Sequence, residues 1–192
     1  MTYRPGFKAE AERIALEVRT ELGLSVMDYL NVHALAAHLE IPIVGMSQLA
    51  DGHAGFLQVF RHQEQDSFSA LTLFTGTARI IVHNDSHHPH RQSSNISHEI
   101  SHCLLEHPPA PLVSAEGCRH WNTQVEAEAN WLGAALLVPR EGGLCLVKRG
   151  WDVGRIAAHY QVSETLCRWR LQQTGILQQV ERLARRWGKV RR

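Results

Sequence analysis

His98, Glu99 and His102 stand in the order His-Glu-x-x-His, within Ser97-His98-Glu99-Ile100-Ser101-His102. On a helix, residues four apart stack on one face, with Cβ atoms about 5–6 Å apart. Two imidazoles so placed can reach one metal ion at about 2.0–2.1 Å. Glu99 leans to the same side but falls short of the ion, where it can hold an attacking water and take its proton. That is the working core of a zinc peptidase. In a chain with 13 histidines the pattern can also arise by chance, as the polar face of an ordinary amphipathic helix. The weight therefore falls on a third ligand.

A catalytic zinc takes three protein ligands and leaves one position for water. Downstream, Val125-Glu126-Ala127-Glu128-Ala129-Asn130 runs into Trp131-Leu132-Gly133-Ala134-Ala135-Leu136-Leu137-Val138-Pro139. Its small and apolar residues predict a tightly packed helix stopped by Pro139. Glu126 and Asn130 share one face at i,i+4, while Glu128 points elsewhere. A glutamate buried on such a helix needs a partner, and a zinc ion would supply it. Asn130, one turn on, is placed to hydrogen-bond a ligand imidazole and fix its tautomer. The alternative is that both glutamates are solvated.

Together these residues resemble the ImmA/IrrE family of zinc metallo-endopeptidases: H-E-I-S-H, then E-x-E-A-N and a leucine run closed by proline. The resemblance extends to Lys8–Arg19 followed by Leu22-Gly23-Leu24, to Ile80–Asn84 followed by Arg91, and to Val162-Ser163 and Arg170-Leu171, or residues 8 to 175 in all. It implies Glu126, four residues before Asn130, as the third ligand of one zinc ion. It also implies a protein substrate: a helix-turn-helix transcriptional repressor of a mobile element or stress regulon. The chain departs from the family pattern at Ser94 and Ser97, where the family carries an aromatic residue and alanine. That predicts looser packing of the active-site helix there. A site of two imidazoles and one carboxylate also accepts Mn, Fe or Co. A further oxyanion donor is expected, with His107, His120 and Tyr160 as candidates.

A chain of 192 residues suits one domain able to bury roughly 70% of its unfolded surface. No run of about 18 apolar residues predicts a membrane span. Met1 to Glu12 has no apolar signal core, so the expected location is the cytoplasm. Cys103, Cys118, Cys145 and Cys167 form no C-x-x-C pair and are expected as free thiols. Cys103 is rotated about 100° from His102 on the helix, which favours packing over a role at the metal. The formal charge of +1 conceals a division: Arg182 to Arg192 holds six basic residues and no acid, against 14 basic and 19 acidic residues elsewhere. Such a tail can contact nucleic acid or an acidic partner, or be a solvated, frayed helix end.

The elements that must position these groups follow from periodicity. Helices are predicted over 8–21, 28–39, 91–106 and 122–138. Strands are predicted over Gly55–Phe60, Phe68–Phe74 and Arg79–His83. Strands clustered before a helical second half argue α+β: a small antiparallel or mixed sheet flanked by helices, a zincin-type active-site helix and a helical C-terminal part. The expected division is 1–90 for N-terminal helices and strands, 91–139 for the zinc-site helices, 140–181 for the helical C-terminal part and 182–192 for the basic tail. Residues His83 to His90 hold four histidines; a surface loop is favoured over a second metal site because Pro89 interrupts helical ligand spacing. Arg155 to Leu171 resembles a helix-turn-helix, with Ser163 capping its second helix. Glu164 and Thr165 stand where a DNA reader carries Arg, Asn or Gln, so packing on the core is the better account. The chemistry expected is peptide hydrolysis with Glu99 as general base. The rivals are a binding module with structural zinc, acting as anti-repressor or toxin-antitoxin partner, and a DNA-binding regulator.

Overall fold

A computed structural model describes residues 3–49, 68–75, 78–108 and 122–190. The expected strand over Gly55–Phe60, and His120 and Cys118, lie outside these residues. Helix α1 spans Phe7–Glu21. Phe7, Ala11, Ala15 and Val18 recur at helical spacing and all are buried, the apolar stripe that faces a core. Gly23 ends the helix with a φ of 68°, and Leu24 N bonds back to Arg19 O at 2.7 Å, the closure typical of a left-handed helix end.

Helix α2 covers Val32–His38 rather than the whole of 28–39. The preceding residues are held as a loop by Arg19, which is 1% exposed and donates to Ser25 O at 3.1 Å and Asp28 O at 2.8 Å. Asn31 then starts α2 by accepting from His33 N and Ala34 N.

Strands β1 (Ile43–Gly45), β2 (Ala70–Thr75) and β3 (Ala78–His83) form a sheet in the order β1-β3-β2, with a one-turn helix α3 (Met46–Leu49) after β1. β1 runs parallel to β3 and β2 antiparallel to it, so the sheet is mixed. Thr72 stands opposite Ile81, and such partners project to the same face. Ile81 joins Ile96 and Ile100 in the core, so this is the face that meets α4, the helix Pro89–Leu104.

Helix α4 starts two residues before the expected position. His88 Nδ1 accepts from His90 N at 3.2 Å and Pro89 takes the first helical position, where a missing N–H leaves nothing unpaired. The stretch His83 to His90, read as a surface loop, is so only in part: Ser86, His88 and Pro89 are exposed, whereas His83, Asn84 and His87 are buried. Helix α5 (Thr123–Leu137) is capped by Asn122. It is buried from Ala127 to Leu137 apart from Asn130.

Helices α4 and α5 meet at small residues. An added Cβ at Gly133 would lie 3.3 Å from His98 N and from Ser97 O. Ser97 Oγ donates to Gly133 O at 3.0 Å, and Ser101 Oγ donates to Ser97 O at 2.7 Å. Looser packing at Ser97 is therefore not found. The serine is fully buried, and its small hydroxyl both admits the neighbouring helix and finds a carbonyl on it.

The C-terminal part is helical: α6 (Arg140–Lys148), α7 (Val153–His159), α8 (Glu164–Gln173) and α9 (Ile176–Val190). The helix-turn-helix-like segment is α7 and α8, and Ser163 Oγ accepts from Leu166 N at 3.1 Å as its cap. Ile156, Ala157, Tyr160, Val162, Cys167 and Leu171 from this segment all enter the core. Cys103, Cys145 and Cys167 are free thiols, and Cys103 packs half-buried against the same core. Among the described residues no helix is long and apolar enough to cross a membrane.

Candidate metal centre

One turn of α4 brings His98 and His102 together, and α5 brings Glu126 to them. The two Nε2 atoms are 3.0 Å apart; Glu126 Oε2 is 3.3 Å from His98 Nε2, and Glu126 Oε1 is 3.7 Å from His102 Nε2. Ligands at 2.0–2.1 Å from a tetrahedral ion lie about 3.3 Å from one another, so the three observed separations bracket what one zinc ion requires. The donor set, two imidazole nitrogens and a carboxylate, is one zinc accepts. Among the described residues no fourth His, Cys, Asp or Glu joins the group. The three side chains are 21%, 19% and 24% exposed, so the site opens to solvent.

The charges reinforce the arrangement. Burial of the His98 ring works against its charged form, but its hydrogen bond to the Glu126 carboxylate, the charges of Glu99 and Glu126, and Asn130 outweigh it and raise its pKa. Burial likewise works against the Glu126 carboxylate, yet His102 and His98 pull its pKa down to about 2. Glu126 is thus an anion at any ordinary pH, as a ligand must be. Asn130, one turn on from Glu126, acts on the His98 ring in this way. Among the described residues, however, the buried His98 Nδ1 has no hydrogen bond of good geometry.

Glu99 does not join the three converging groups. Its Oε2 accepts a 2.7 Å hydrogen bond from Thr72 Oγ1 on β2. Nothing in the local sequence marks Thr72, which reads as an ordinary strand residue; the register opposite Ile81 is what aims it at α4.

Glu128 points away from the three converging groups, as its position on the helix predicts, but it is buried rather than solvated, at 3% exposure. It accepts from Arg4 N at 3.0 Å, Arg4 Nε at 3.2 Å and Gln124 Nε2 at 3.2 Å. Burial raises its pKa, and these donors overcome that and lower it. Of the oxyanion candidates, His107 stands behind the site, with its Nδ1 2.9 Å from His102 Nδ1. Tyr160 is fully buried and its hydroxyl donates to Val26 O at 2.8 Å, so that donor is committed to packing.

The family model described as the IrrE N-terminal-like domain, a peptidase model, matches residues 57–172. That range includes His98, Glu99, His102, Glu126 and both helices that carry them. Among solved structures, a Mycobacterium tuberculosis transcriptional regulator matches with a TM-score of 0.50 at 12% identity, over 88% of this chain and 47% of that one. The chain thus spans about half the regulator's length, and the likeness is one of fold. A comparison with curated protein sequences gives no match.

Proposed function

The chain belongs to the IrrE N-terminal-like peptidase family, and from this we propose that it is a zinc-dependent endopeptidase. The observation that carries the reading is the convergence of His98 Nε2, His102 Nε2 and the Glu126 carboxylate within 4.8 Å, with the Glu99 charge close enough to act on His98. A divalent ion held there would polarise the scissile carbonyl and bring the pKa of water toward about 7. Glu99 accepts the proton as water adds to the carbonyl carbon. When the C–N bond breaks, the same carboxyl returns that proton to the leaving amine. Thr72 fixes Oε2 of Glu99 and leaves Oε1 for the transfer. Ser97 and Gly133, by locking α4 to α5, hold the two imidazoles and the carboxylate in one place.

The substrate we propose is a helix-turn-helix transcriptional repressor of a mobile element or stress regulon, met in the cytoplasm. The family resemblance supports it, and the fold match to a protein described as a transcriptional regulator agrees with a place in gene control. The deciding experiment uses Glu99→Gln, which keeps the side-chain volume but cannot accept the proton. The variant is expected to retain zinc and partner binding while cleavage of the repressor falls by about 10² to 10⁴-fold. Repressor integrity by blot and target transcription are read together. Full derepression by Glu99→Gln with an uncut repressor would replace the peptidase reading with that of a binding module.

A further inference from the structure

Helix α4 ends in an unusual way. Glu106 adopts a φ of 52°, in the left-handed region that a residue with a side chain rarely enters. The turn folds the chain back, so that His107 N bonds His102 O at 3.0 Å. It also sets the two rings against each other, with centroids 5.0 Å apart at 66° and Nδ1 atoms 2.9 Å apart. The His107 side chain is 9% exposed, and its Nε2 lies 3.8 Å from Glu128 Oε2. Glu128 is in turn held by Arg4 through both backbone and side chain. Arg4 is anchored on Glu10 at 2.6 Å. A line of polar groups therefore runs from His102 to the first described residues of the chain.

The order of donors along this line is fixed by chemistry. A metal ion held by His102 Nε2 would leave the proton of that ring on Nδ1. His107 Nδ1 must then accept that proton, which places the His107 proton on Nε2. That N–H faces the Glu128 carboxylate, beyond hydrogen-bond length but within reach as a charge–dipole contact. Partners behind a ligand imidazole set its tautomer and orientation, and removing them costs about 10–100-fold in metal affinity.

We propose that His107 is the positioning residue for His102, oriented by Glu128 and Arg4, and that this chain sets the affinity of the centre for its metal. The inference rests on the reading of His98, His102 and Glu126 as ligands. It assigns His107 no contact with substrate and Glu128 no contact with the ion.

The test uses the full chain. Zinc affinity is measured by competition with a chromophoric chelator, and the cobalt(II)-loaded protein gives a visible absorption spectrum that reports ligand geometry. His107→Ala is expected to weaken zinc binding about 10–100-fold and to shift the cobalt spectrum. His107→Asn places an acceptor oxygen where Nδ1 stands and is expected to restore most of both. Glu128→Gln, which keeps the acceptor for Arg4 N but loses the charge, is expected to weaken zinc binding several-fold. It also serves if His107→Ala does not fold. Unchanged affinity and an unchanged spectrum in His107→Ala overturn the positioning role. A His107→Asn protein as weak as His107→Ala reduces His107 to packing and overturns it too. A wild-type chain that binds no divalent ion is a separate result, and it removes the ligand reading itself.

Discussion

Gly133 of α5 lies directly against the Ser97–His98 peptide of α4, with Ser97 Oγ donating to Gly133 O at 3.0 Å. Seven residues separate Gly133 from Glu126, so both occupy one face of α5. The distance from Glu126 to the two imidazoles is therefore set by a missing side chain two turns away. The atoms an added Cβ would meet are backbone, which cannot rotate aside. Gly133→Val should destabilise the protein by about 1–3 kcal/mol, and it should weaken zinc binding by spreading the two helices. Thermal melts and chelator competition check both effects, and unchanged zinc affinity would mean that the helix separation does not govern the site.

Thr72→Val tests the support of Glu99, the proposed general base. The substitution keeps the shape and removes the hydroxyl that donates to Glu99 Oε2. A hydrogen bond to a charged group contributes about 1.5–3 kcal/mol, so kcat should fall by about tenfold or more while zinc content stays at the wild-type level. A loss of zinc in Thr72→Val would show instead that β2 holds up α4 as a whole.

The second half of the site rests on two buried arginines at the C-terminal end of α5. Arg19 donates to Leu136 O at 2.8 Å and Arg170 donates to Val138 O at 3.1 Å. These carbonyls belong to the last turn of the helix, which has no backbone donors of its own to meet them. Arg170 also pairs with Glu12 at 2.5 Å and lies over the Trp131 ring at 5.2 Å. Arg170→Ala leaves Glu12 and Val138 O without their partner and should cost about 3 kcal/mol, or roughly 10 °C in Tm. Arg19→Ala, with three carbonyls at stake, should cost at least as much. A Tm within about 2 °C of wild type for either would show that water replaces the guanidinium.

What was legible in the sequence is what local spacing encodes. His98, Glu99 and His102 lie within one turn and a half, and Glu126 sits on a helix whose composition already argues burial. The mixed sheet and the helical C-terminal part follow from runs of strand formers before runs of helix formers. The remainder is set by tertiary contact. Nothing in the local sequence marks Arg19 and Arg170 for burial, yet both are buried, where they donate to helix carbonyls elsewhere in the chain. The helix expected from residue 28 is shortened to Val32 by Arg19. Thr72 reaches Glu99 through a strand register that no short motif specifies. His107 turns back on His102 through a left-handed Glu106, where sequence alone would ask for glycine.

Metal removal should invert how the site responds to pH. In the metal-free protein the His98 pKa is raised above its ordinary 6.5 and the Glu126 pKa is lowered from 4.5 to about 2. A raised histidine adds stability that is complete below 6.5 and is lost as pH climbs through the raised value. A lowered glutamate adds stability that is complete above 4.5 and is lost as pH falls toward about 2. The chelated protein therefore draws most from this pair between 4.5 and 6.5, where His98 is charged and Glu126 ionised. Zinc asks for the opposite state of His98, since only the neutral imidazole can ligate. The stabilisation given by zinc should therefore grow as pH rises through the His98 range, because a ligand stabilises in proportion to how tightly it binds the native state. The measurement is Tm with zinc minus Tm with chelator, from about pH 5 to about pH 8. The difference should widen steadily over that interval, and it should be abolished in Glu126→Ala. A difference that stays flat or shrinks toward pH 8 would show that zinc is not held by these imidazoles.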